Sequence, residues 1–328
     1  MKNSIFSYLF LFLLFGFQSC TKTNNNHEES DSTTAYIQKN VSGFSADSAY
    51  QIIKKQLDFG FRIPGTAAHK KCADWLFSEM KKSADTTYFQ TLSGTNPRNG
   101  SKIPIYNIVG TFNPSATNRL LLASHWDSRP SADQDTKDQD KPILAANDGA
   151  SGVAVLLEIA RNLSKNKPEI GVDIIFFDAE DLGIPSVENS FCLGSQAWAK
   201  TPHKPGYTAN AGILLDMVGG KNAKFVWEAY SAEFGNFILN QTWGIAHELG
   251  YSTTFPFQSI GPIIDDHKYV YEGTKIPMID IIQYDEVNGF APYWHTHSDN
   301  LDAIDKNTLM QVGNTVHHVI FNPPFSVK

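Results

Sequence analysis

Cysteine is scarce in this chain, with three residues in 328, and only Cys72 and Cys192 lie beyond the N-terminal segment. These two are far apart and show no CxxC spacing, so a cysteine-based metal site is not expected. The sequence leaves open whether they pair or remain free buried thiols. A basic excess is also absent, since the formal net charge is −7. Nucleic-acid binding is therefore not expected.

No apolar run is long enough for a comfortable membrane span. The longest, residues 5–17, follows Lys2 and has the length of the apolar part of a signal peptide. It ends in a Phe-Gln-Ser-Cys segment that resembles a bacterial lipobox, in which Cys20 would be lipidated and become the mature N-terminus. We therefore expect residues 1–20 to be a lipoprotein-type signal peptide. An ordinary cleaved signal peptide is the alternative.

Residues 21–40 are polar, Asn-rich and aperiodic, which predicts a disordered tether. This organisation predicts an exported, periplasmic protein that is lipid-anchored to the outer or inner membrane of a bacterium. The chain beyond the tether shows no internal repeat and no second linker. We expect a single catalytic domain over residues 41–328, and a monomer.

Apolar periodicity predicts the secondary structure of this domain. The predicted helices cover residues 45–57, 66–82, 149–163, 233–249 and 305–321. The predicted strands cover residues 105–112, 120–124, 172–177, 211–215 and 278–282. This alternation is typical of an α/β protein, a three-layer α/β/α sandwich with a mostly parallel central mixed sheet. In such sheets ligands bind beyond the carboxyl ends of the strands.

Polar residues follow the predicted strands at those ends. They are His125 and Asp127, the run Asp178 to Asp181, Asp216, Asp148 in a small-residue turn, and a late loop with His295, His297 and Asp299. Histidine and carboxylate without thiolate suit a catalytic zinc ion with an open position. Neighbours in an extended segment point in opposite directions. One member of the pair Glu180-Asp181 can therefore bind metal while the other carries protons.

The motifs HWDS, NDGASG, FFDAED, LLDMVGG and WHTHSDNLD resemble, in order, those of the zinc-dependent aminopeptidase superfamily. The resemblance covers the chain from about residue 40 onward. Three further features resemble the bacterial-type glutaminyl-peptide cyclotransferases within that superfamily. They are the segment Ile264-Asp265-Asp266-His267, the aromatic pair Phe290 and Trp294 just before His295, and FCLGSQAW over residues 191–198.

The resemblance implies zinc-dependent cyclisation of the N-terminal glutamine of peptides and proteins to pyroglutamate, with release of ammonia and with one zinc ion. It assigns the metal ligands to Asp148, Asp181 and His295, acid/base chemistry to Glu180, its hydrogen-bond network to Asp216 and Asp265, and the substrate pocket to Phe290, Trp294 and Phe191. His125, Asp127 and His267 are expected to orient these groups. The animal enzymes have Glu where this chain has Asp181. A tryptophan that follows their acidic pair has no counterpart in residues 182–186, and Phe191 is expected to cover that wall.

Two other functions stay open at this point. A two-zinc aminopeptidase would bind its second ion through His125 and Asp216, with Asp148 bridging, and Glu180 would activate a water. The additional Asp265-Asp266-His267 element favours the cyclase. The other function is that of a non-catalytic surface binding lipoprotein. His297 is an alternative ligand to His295. Other features are predicted to be structural or solvated, namely His69, His203, His247, His317, His318 and the acidic stretch 133–140.

Overall fold

The computed structural model describes residues 43–285 and 289–325. The predicted signal peptide with Cys20 and the predicted tether lie outside the described residues and stay predictions. Within the described ranges, no helix combines the length and apolar character needed to cross a membrane.

Helices are found where apolar periodicity predicts them, and several begin at a capping side chain. Ser45, Thr66 and Asp305 each accept a hydrogen bond from a backbone amide of the first turn, which fixes where the helix starts. The helices of the described residues are α1 (Ala46–Leu57), α2 (Ala67–Lys81), α3 (Ala150–Leu163), α4 (Leu193–Lys200), α5 (Ala229–Glu248), α6 (Asp266–Thr274), α7 (Lys306–Phe321) and a short 3-10 turn (Leu301–Ala303). The five predicted helices are confirmed, with α5 beginning four residues earlier than predicted.

A six-stranded sheet forms the centre of the molecule, in the spatial order β1-β2-β4-β3-β5-β6. Its strands are β1 (Thr86–Thr95), β2 (Lys102–Phe112), β3 (Arg119–His125), β4 (Gly171–Phe177), β5 (Ala211–Asp216) and β6 (Met278–Ile282). β4, β3, β5 and β6 pair in parallel, whereas β1 and β2 add an antiparallel edge. The carboxyl ends of the parallel strands therefore meet on one side of the sheet.

The sheet is covered on both faces, which makes the architecture a three-layer sandwich. Alternate residues such as Leu122, Ile174 and Ile213 belong to one buried cluster with α1, α2, α3, α5 and α7. Their neighbours, such as Leu121, Ile175 and Leu214, pack in a second cluster with Trp198 of α4 and Val270 of α6. The two-residue period of a strand explains this division. The predicted fold class is confirmed.

Four elements were not predicted from periodicity, one of which is the three-residue 3-10 turn. β1 is an edge strand whose side chains are partly or fully exposed, so it lacks the apolar pattern of the buried strands. α4 and α6 are short, with 8 and 9 residues. They offer few turns over which helical periodicity can appear.

Candidate active site

A cavity of about 780 Å³ opens at the carboxyl ends of the parallel strands. The nine residues predicted for catalysis, metal binding and substrate binding all line it: Asp148, Glu180, Asp181, Phe191, Asp216, Asp265, Phe290, Trp294 and His295. They come from five loops or strand ends that are spread over the chain. Their convergence follows from the parallel arrangement of β3, β4, β5 and β6.

Asp148, Asp181 and His295 form one buried cluster, with one potential ligand atom from each lying within 4.8 Å of the others. The Nε2 atom of His295 is 3.5 Å from Oδ2 of Asp148 and 3.4 Å from Oδ1 of Asp181. Burial opposes ionisation of Asp181, but His295 and Arg129 outweigh it and lower the pKa of Asp181 to about 2. The structure thus brings the three predicted ligands together as two carboxylates and an imidazole.

The turn that carries Asp148 is held by Asp299, a residue that motif reading had not assigned to the site. The backbone amides of Asn147 and Asp148 donate to the two carboxylate oxygens of Asp299, at 2.7 and 3.0 Å. Gly149 follows with φ of 94°, and a Cβ there would meet the carbonyl oxygen of Asp127 and the ring of His125 at 2.8 Å. Only glycine fits this position comfortably.

His125 lies against the same cluster from the end of β3. Its Nε2 atom is 3.0 Å from Oδ1 of Asp148 and 3.2 Å from Oδ1 of Asp216. Its Nδ1 atom is 3.4 Å from Oδ1 of Asp127. Asp127 also accepts hydrogen bonds from the backbone amides of Glu180 and Asp181, at 3.0 and 3.1 Å. Asp127 therefore links the end of β3 to the turn that carries the acidic pair.

The prediction that residues 133–140 form a solvated acidic stretch is wrong at its start. Arg129, whose side chain is fully buried, donates to Asp133 through Nε and Nη2 at 2.6 and 2.7 Å. Oδ1 of Asp133 is also 3.4 Å from Nδ1 of His295. Asp135 accepts from the backbone and ring of His297, each at 2.9 Å. The stretch is folded back onto the loop of His295 because these cationic and amide partners lie there.

Glu180 belongs to a second group, together with Cys192 and Asp265, whose potential ligand atoms also lie within 4.8 Å of one another. The thiol of Cys192 donates to Oε1 of Glu180 at 3.3 Å, and its backbone amide donates to the Glu180 carbonyl at 2.9 Å. Burial raises the pKa of Glu180 well above its usual range, and the nearby carboxylates of Asp181 and Asp265 add to this effect. A carboxyl group with this environment suits proton transfer.

His267 lies one layer deeper than the site. Its Nε2 atom is 3.1 Å from Oε1 of Glu228, and its Nδ1 atom is 3.9 Å from Oδ2 of Asp280. The neighbouring Asp266 accepts a hydrogen bond from Ser195 at 2.5 Å, and burial raises the pKa of Asp266 to about 7. The segment 265–267 begins α6, with Asp265 as its N-cap, so only Asp265 of the three lines the cavity.

Aromatic rings form one wall of the cavity. Phe290 stacks on Trp294 with ring centroids 4.4 Å apart, and Trp294 stacks on the His295 ring at 3.7 Å. Phe191 lies over the guanidinium of Arg129, at 5.5 Å from its Cζ atom. The three predicted substrate residues thus line the same cavity as the carboxylate and histidine cluster. They give the cavity an apolar surface beside its charged floor.

Residues 107–320 match the family described as Peptidase family M28, which is more than half of the chain. The chain belongs to this family. Its fold is similar to a glutaminyl cyclase from Tannerella forsythia, at 47% identity over 85% of this chain and 99% of that one, with a TM-score of 0.83. It is equally similar to a Zn-dependent exopeptidase from Parabacteroides distasonis, at 48% identity over 86% and 99%, with a TM-score of 0.83.

The glutaminyl-peptide cyclotransferase of Bos taurus is 28% identical over 235 residues, and the match covers 62% of each chain. The chain therefore spans 62% of the length of this curated relative. The resemblance to bacterial-type glutaminyl cyclases, predicted from the motifs, is confirmed.

Left-handed backbone conformations recur around this M28 site. Ala179, Cys192, Met217 and His295 have φ between 51° and 57° although none is glycine. Each lies at or beside a predicted site residue. Such conformations cost about 1–2 kcal/mol per residue, and tertiary contacts must hold them in place. They turn the chain sharply, which lets adjacent residues such as Glu180 and Asp181 enter different clusters.

The remaining predictions concern single residues outside the cavity. Cys72 and Cys192 are both free and buried, so the free-thiol alternative is confirmed. His317 and His318 are buried on α7 and pack there. His69 has a specific partner that the sequence did not indicate, since its Nε2 atom lies 2.7 Å from Oδ1 of Asp178.

Proposed function

We propose that the chain is a glutaminyl-peptide cyclotransferase, which cyclises the N-terminal glutamine of peptides and proteins to pyroglutamate and releases ammonia. The observation that carries this proposal is the separation of Glu180 from its neighbour Asp181. Asp181 shares a cluster with Asp148 and His295, whereas Glu180 shares one with Cys192 and Asp265. Glu180 thus remains free to move protons beside a metal site. The similarity to bacterial glutaminyl cyclases supports the same conclusion.

The three clustered residues fit a zinc ion. Tetrahedral zinc with bonds of about 2.0–2.1 Å to nitrogen and oxygen places its ligand atoms about 3.4 Å apart. The distances from His295 Nε2 to Oδ1 of Asp181 and Oδ2 of Asp148 are 3.4 and 3.5 Å, so both carboxylate groups lie within reach of the same ion. Oδ2 of Asp181 is buried without a hydrogen-bond partner among the described residues, as a ligand atom awaiting a cation would be. Three protein ligands leave the open fourth position that catalytic zinc requires.

We propose one zinc ion rather than two. His125 is also near two carboxylates, but its Nε2 atom lies 3.0 Å from Asp148 and 3.2 Å from Asp216. The contact with Asp216 is a direct hydrogen bond. His125 and Asp216 therefore act as a hydrogen-bonded pair that orients Asp148.

The reaction is intramolecular. The α-amine of the substrate attacks the γ-amide carbon, a C–N bond forms, and the C–N bond to the amide nitrogen breaks to release ammonia. A zinc ion bound by Asp148, Asp181 and His295 would polarise the γ-carbonyl. Glu180 accepts a proton from the α-amine and delivers it to the leaving nitrogen. Asp265 lies beside this carboxyl group, and Asp216 lines the same cavity. The rings of Phe290, Trp294 and Phe191 would hold the glutamine side chain in a bent, reactive position.

A second candidate is a two-zinc aminopeptidase. The atoms of His125, Asp148 and Asp216 lie within 4.8 Å of one another, so the residues for a second ion are present. The similarity to a Zn-dependent exopeptidase agrees with this alternative. It does not account for the Asp265 carboxylate beside Glu180, because a peptidase needs only one base.

Two fluorogenic substrates distinguish the candidates. The zinc-loaded chain is incubated with Gln-β-naphthylamide and, separately, with Leu-β-naphthylamide. Ammonia together with an intact naphthylamide from the first supports the cyclase. Free naphthylamine from the second identifies a peptidase and overturns the proposal. If neither reaction occurs while zinc is bound, the non-catalytic binding role is the one that remains.

We also propose that the chain is exported to the periplasm and anchored to a membrane through lipidated Cys20, as a monomer. The support for export and anchoring is the apolar run before Ser19-Cys20 and the polar segment after it. Wild type should partition into detergent and incorporate labelled palmitate, whereas Cys20→Ser should not. A wild-type chain that takes up no label contradicts the anchor, and size-exclusion chromatography tests the monomer.

A further inference from the structure

Arg129 occupies a position that no motif assignment explains. Its side chain is fully buried although it carries a charge, so its guanidinium needs partners on every side. Two N–H groups bind Asp133 at 2.6 and 2.7 Å. A third reaches Oδ1 of Asp181 at 2.7 Å and lies 3.2 Å from the Asp181 carbonyl oxygen. One guanidinium thus joins a predicted metal ligand to Asp133.

Asp133 extends this connection to a second predicted ligand. Its Oδ1 atom, which binds Arg129 Nε, is also 3.4 Å from Nδ1 of His295. The ring nitrogen that faces Asp133 is the one opposite the Nε2 atom that faces Asp148 and Asp181. The contact with Asp133 is an ion-pair contact rather than a hydrogen bond, because Nδ1 of His295 is buried without a hydrogen-bond partner among the described residues. A carboxylate on this side of the ring still favours a proton at Nδ1 electrostatically, which turns Nε2 toward the cation site.

The two carboxylate oxygens of Asp181 have different surroundings. Oδ1 takes the N–H of Arg129, while Oδ2 is buried with no hydrogen-bond partner among the described residues. An Asp side chain is short, and a fixed bond to one oxygen restricts its rotation about χ2. Arg129 therefore holds the carboxylate in one orientation. Its charge also offsets the repulsion between Asp181 and Asp148 when the cation is absent.

We infer that Arg129 and Asp133 are positioning residues that hold Asp181 and His295 as ligands of one zinc ion, and so set the affinity of the site. This inference rests on the zinc site proposed above. The consequence is measurable without turnover, because the affinity for zinc depends on how well its ligands are held. Loss of such an outer partner typically weakens metal binding about 10–100-fold.

The experiment measures the zinc dissociation constant of the folded chain by competition with a chromogenic chelator. Arg129→Lys keeps the charge but loses the planar fork, and Asp133→Asn keeps the shape but loses the charge. Each should raise the dissociation constant about 10–100-fold. Both residues act through the same connection. The double variant should therefore lose little more affinity for zinc than the single variant that binds zinc more weakly.

The matched control is Arg119→Lys. Arg119 makes a similar paired contact with buried Asp173, at 2.6 and 3.0 Å, but at the opposite, amino-terminal end of β3. This variant should lose stability while zinc affinity stays within about twofold of wild type. It separates the general cost of breaking a buried arginine–aspartate pair from an effect on the metal site.

Three results overturn the inference. One is a dissociation constant within twofold of wild type in Asp133→Asn, which also decides the case if Arg129→Lys does not fold. Another is an Arg119→Lys control that weakens zinc binding as much as Arg129→Lys. The third is a wild-type chain that does not bind zinc, which removes the proposed function as well. If wild type binds zinc and the variants bind it with the same affinity, only this inference fails and the proposed function stands.

Discussion

The Nε2 atom of His69 lies 2.7 Å from Oδ1 of Asp178, and both side chains are fully buried. Asp178 also accepts hydrogen bonds from the backbone amides of Tyr106 and Ala179, at 2.6 and 2.7 Å. Ala179 is left-handed, and Glu180 follows it directly. Helix α2 therefore holds, through one imidazole, the turn that presents the acidic pair.

Replacement of His69 by leucine should destabilise the fold. Asp178 would lose its partner while remaining buried, and breaking a buried pair in this way costs about 3–5 kcal/mol. His69→Gln, which keeps a donor on a side chain of similar reach, should lose less. Urea unfolding of both variants measures the difference. Equal stability of the leucine variant and wild type would show that Asp178 does not need the imidazole.

Glu180→Gln should lose cyclisation activity about 10²–10⁴-fold, because the amide cannot transfer a proton. Its zinc content should stay at the wild-type level, since Glu180 lies outside the cluster of Asp148, Asp181 and His295. Glu188→Gln is the control, because Glu188 is an exposed carboxylate on the lining of the same cavity. Near-wild-type turnover by Glu180→Gln would exclude it as the base.

Gly183→Ala should weaken substrate binding more than it slows the chemical step. A Cβ at Gly183 would collide with the ring of Phe191, which must then shift in the cavity wall. We expect KM to rise several-fold while kcat changes less. Gly261→Ala provides the comparison, since Gly261 lines the same cavity and a Cβ there meets no atom within 4 Å. Equal kinetic constants for the two variants would refute a role for the Phe191 wall.

The thiols of Cys72 and Cys192 should not react with a disulfide reagent until the protein unfolds. Burial raises the pKa of Cys72 to about 12 and that of Cys192 well above its usual range, so neither forms the reactive thiolate at pH 8. A Cys20→Ser variant isolates these two thiols. Titration should find about none in buffer and two in guanidinium chloride. Fast reaction of either in buffer would contradict the buried placement.

The stability of the fold should fall in acid partly through His203. Burial lowers the pKa of His203 to about 4, whereas an unfolded histidine titrates near about 6.5. The unfolded chain therefore binds an extra proton between these values. The contribution of neutral His203 is complete above about pH 6.5 and is lost as the pH falls toward 4.

The variant His203→Gln tests this directly. Its free energy of unfolding should differ from that of wild type by an amount that shrinks as the pH falls from 7.5 to 5. The expected change is up to about 1 kcal/mol per pH unit. Denaturant unfolding at several pH values measures it, and a pH-independent difference would show that another group causes the acid sensitivity.

The sequence predicted the parts of the fold that depend on buried periodicity. β6 was predicted at its observed bounds, Met278 to Ile282, because four of its five residues are apolar. The structure buries all five. β1 was missed because one of its faces is exposed. The nine cavity residues were found because they follow strand ends or match family motifs. These are signals that the chain carries locally.

Arg129, Asp133 and Cys192 could not be assigned in the same way. Their roles depend on pairs of residues that are distant in sequence, such as Arg129 with Asp181 and Cys192 with Glu180. Composition made Asp133 look like part of a solvated acidic stretch, and only the burial of the arginine four residues earlier explains its position. Long-range partners of buried charges leave no periodic trace in a sequence.

The order of the strands also has a consequence for assembly. In the sequence, Asp148 lies between β3 and β4, whereas His295 follows β6, the last strand. The cluster of Asp148, Asp181 and His295 therefore joins segments from before and after most of the parallel strands. During refolding the pocket is complete only when the last strand has docked. Metal capture should therefore lag behind the gain of helical signal, which would make a zinc-sensing dye a reporter of the final folding step.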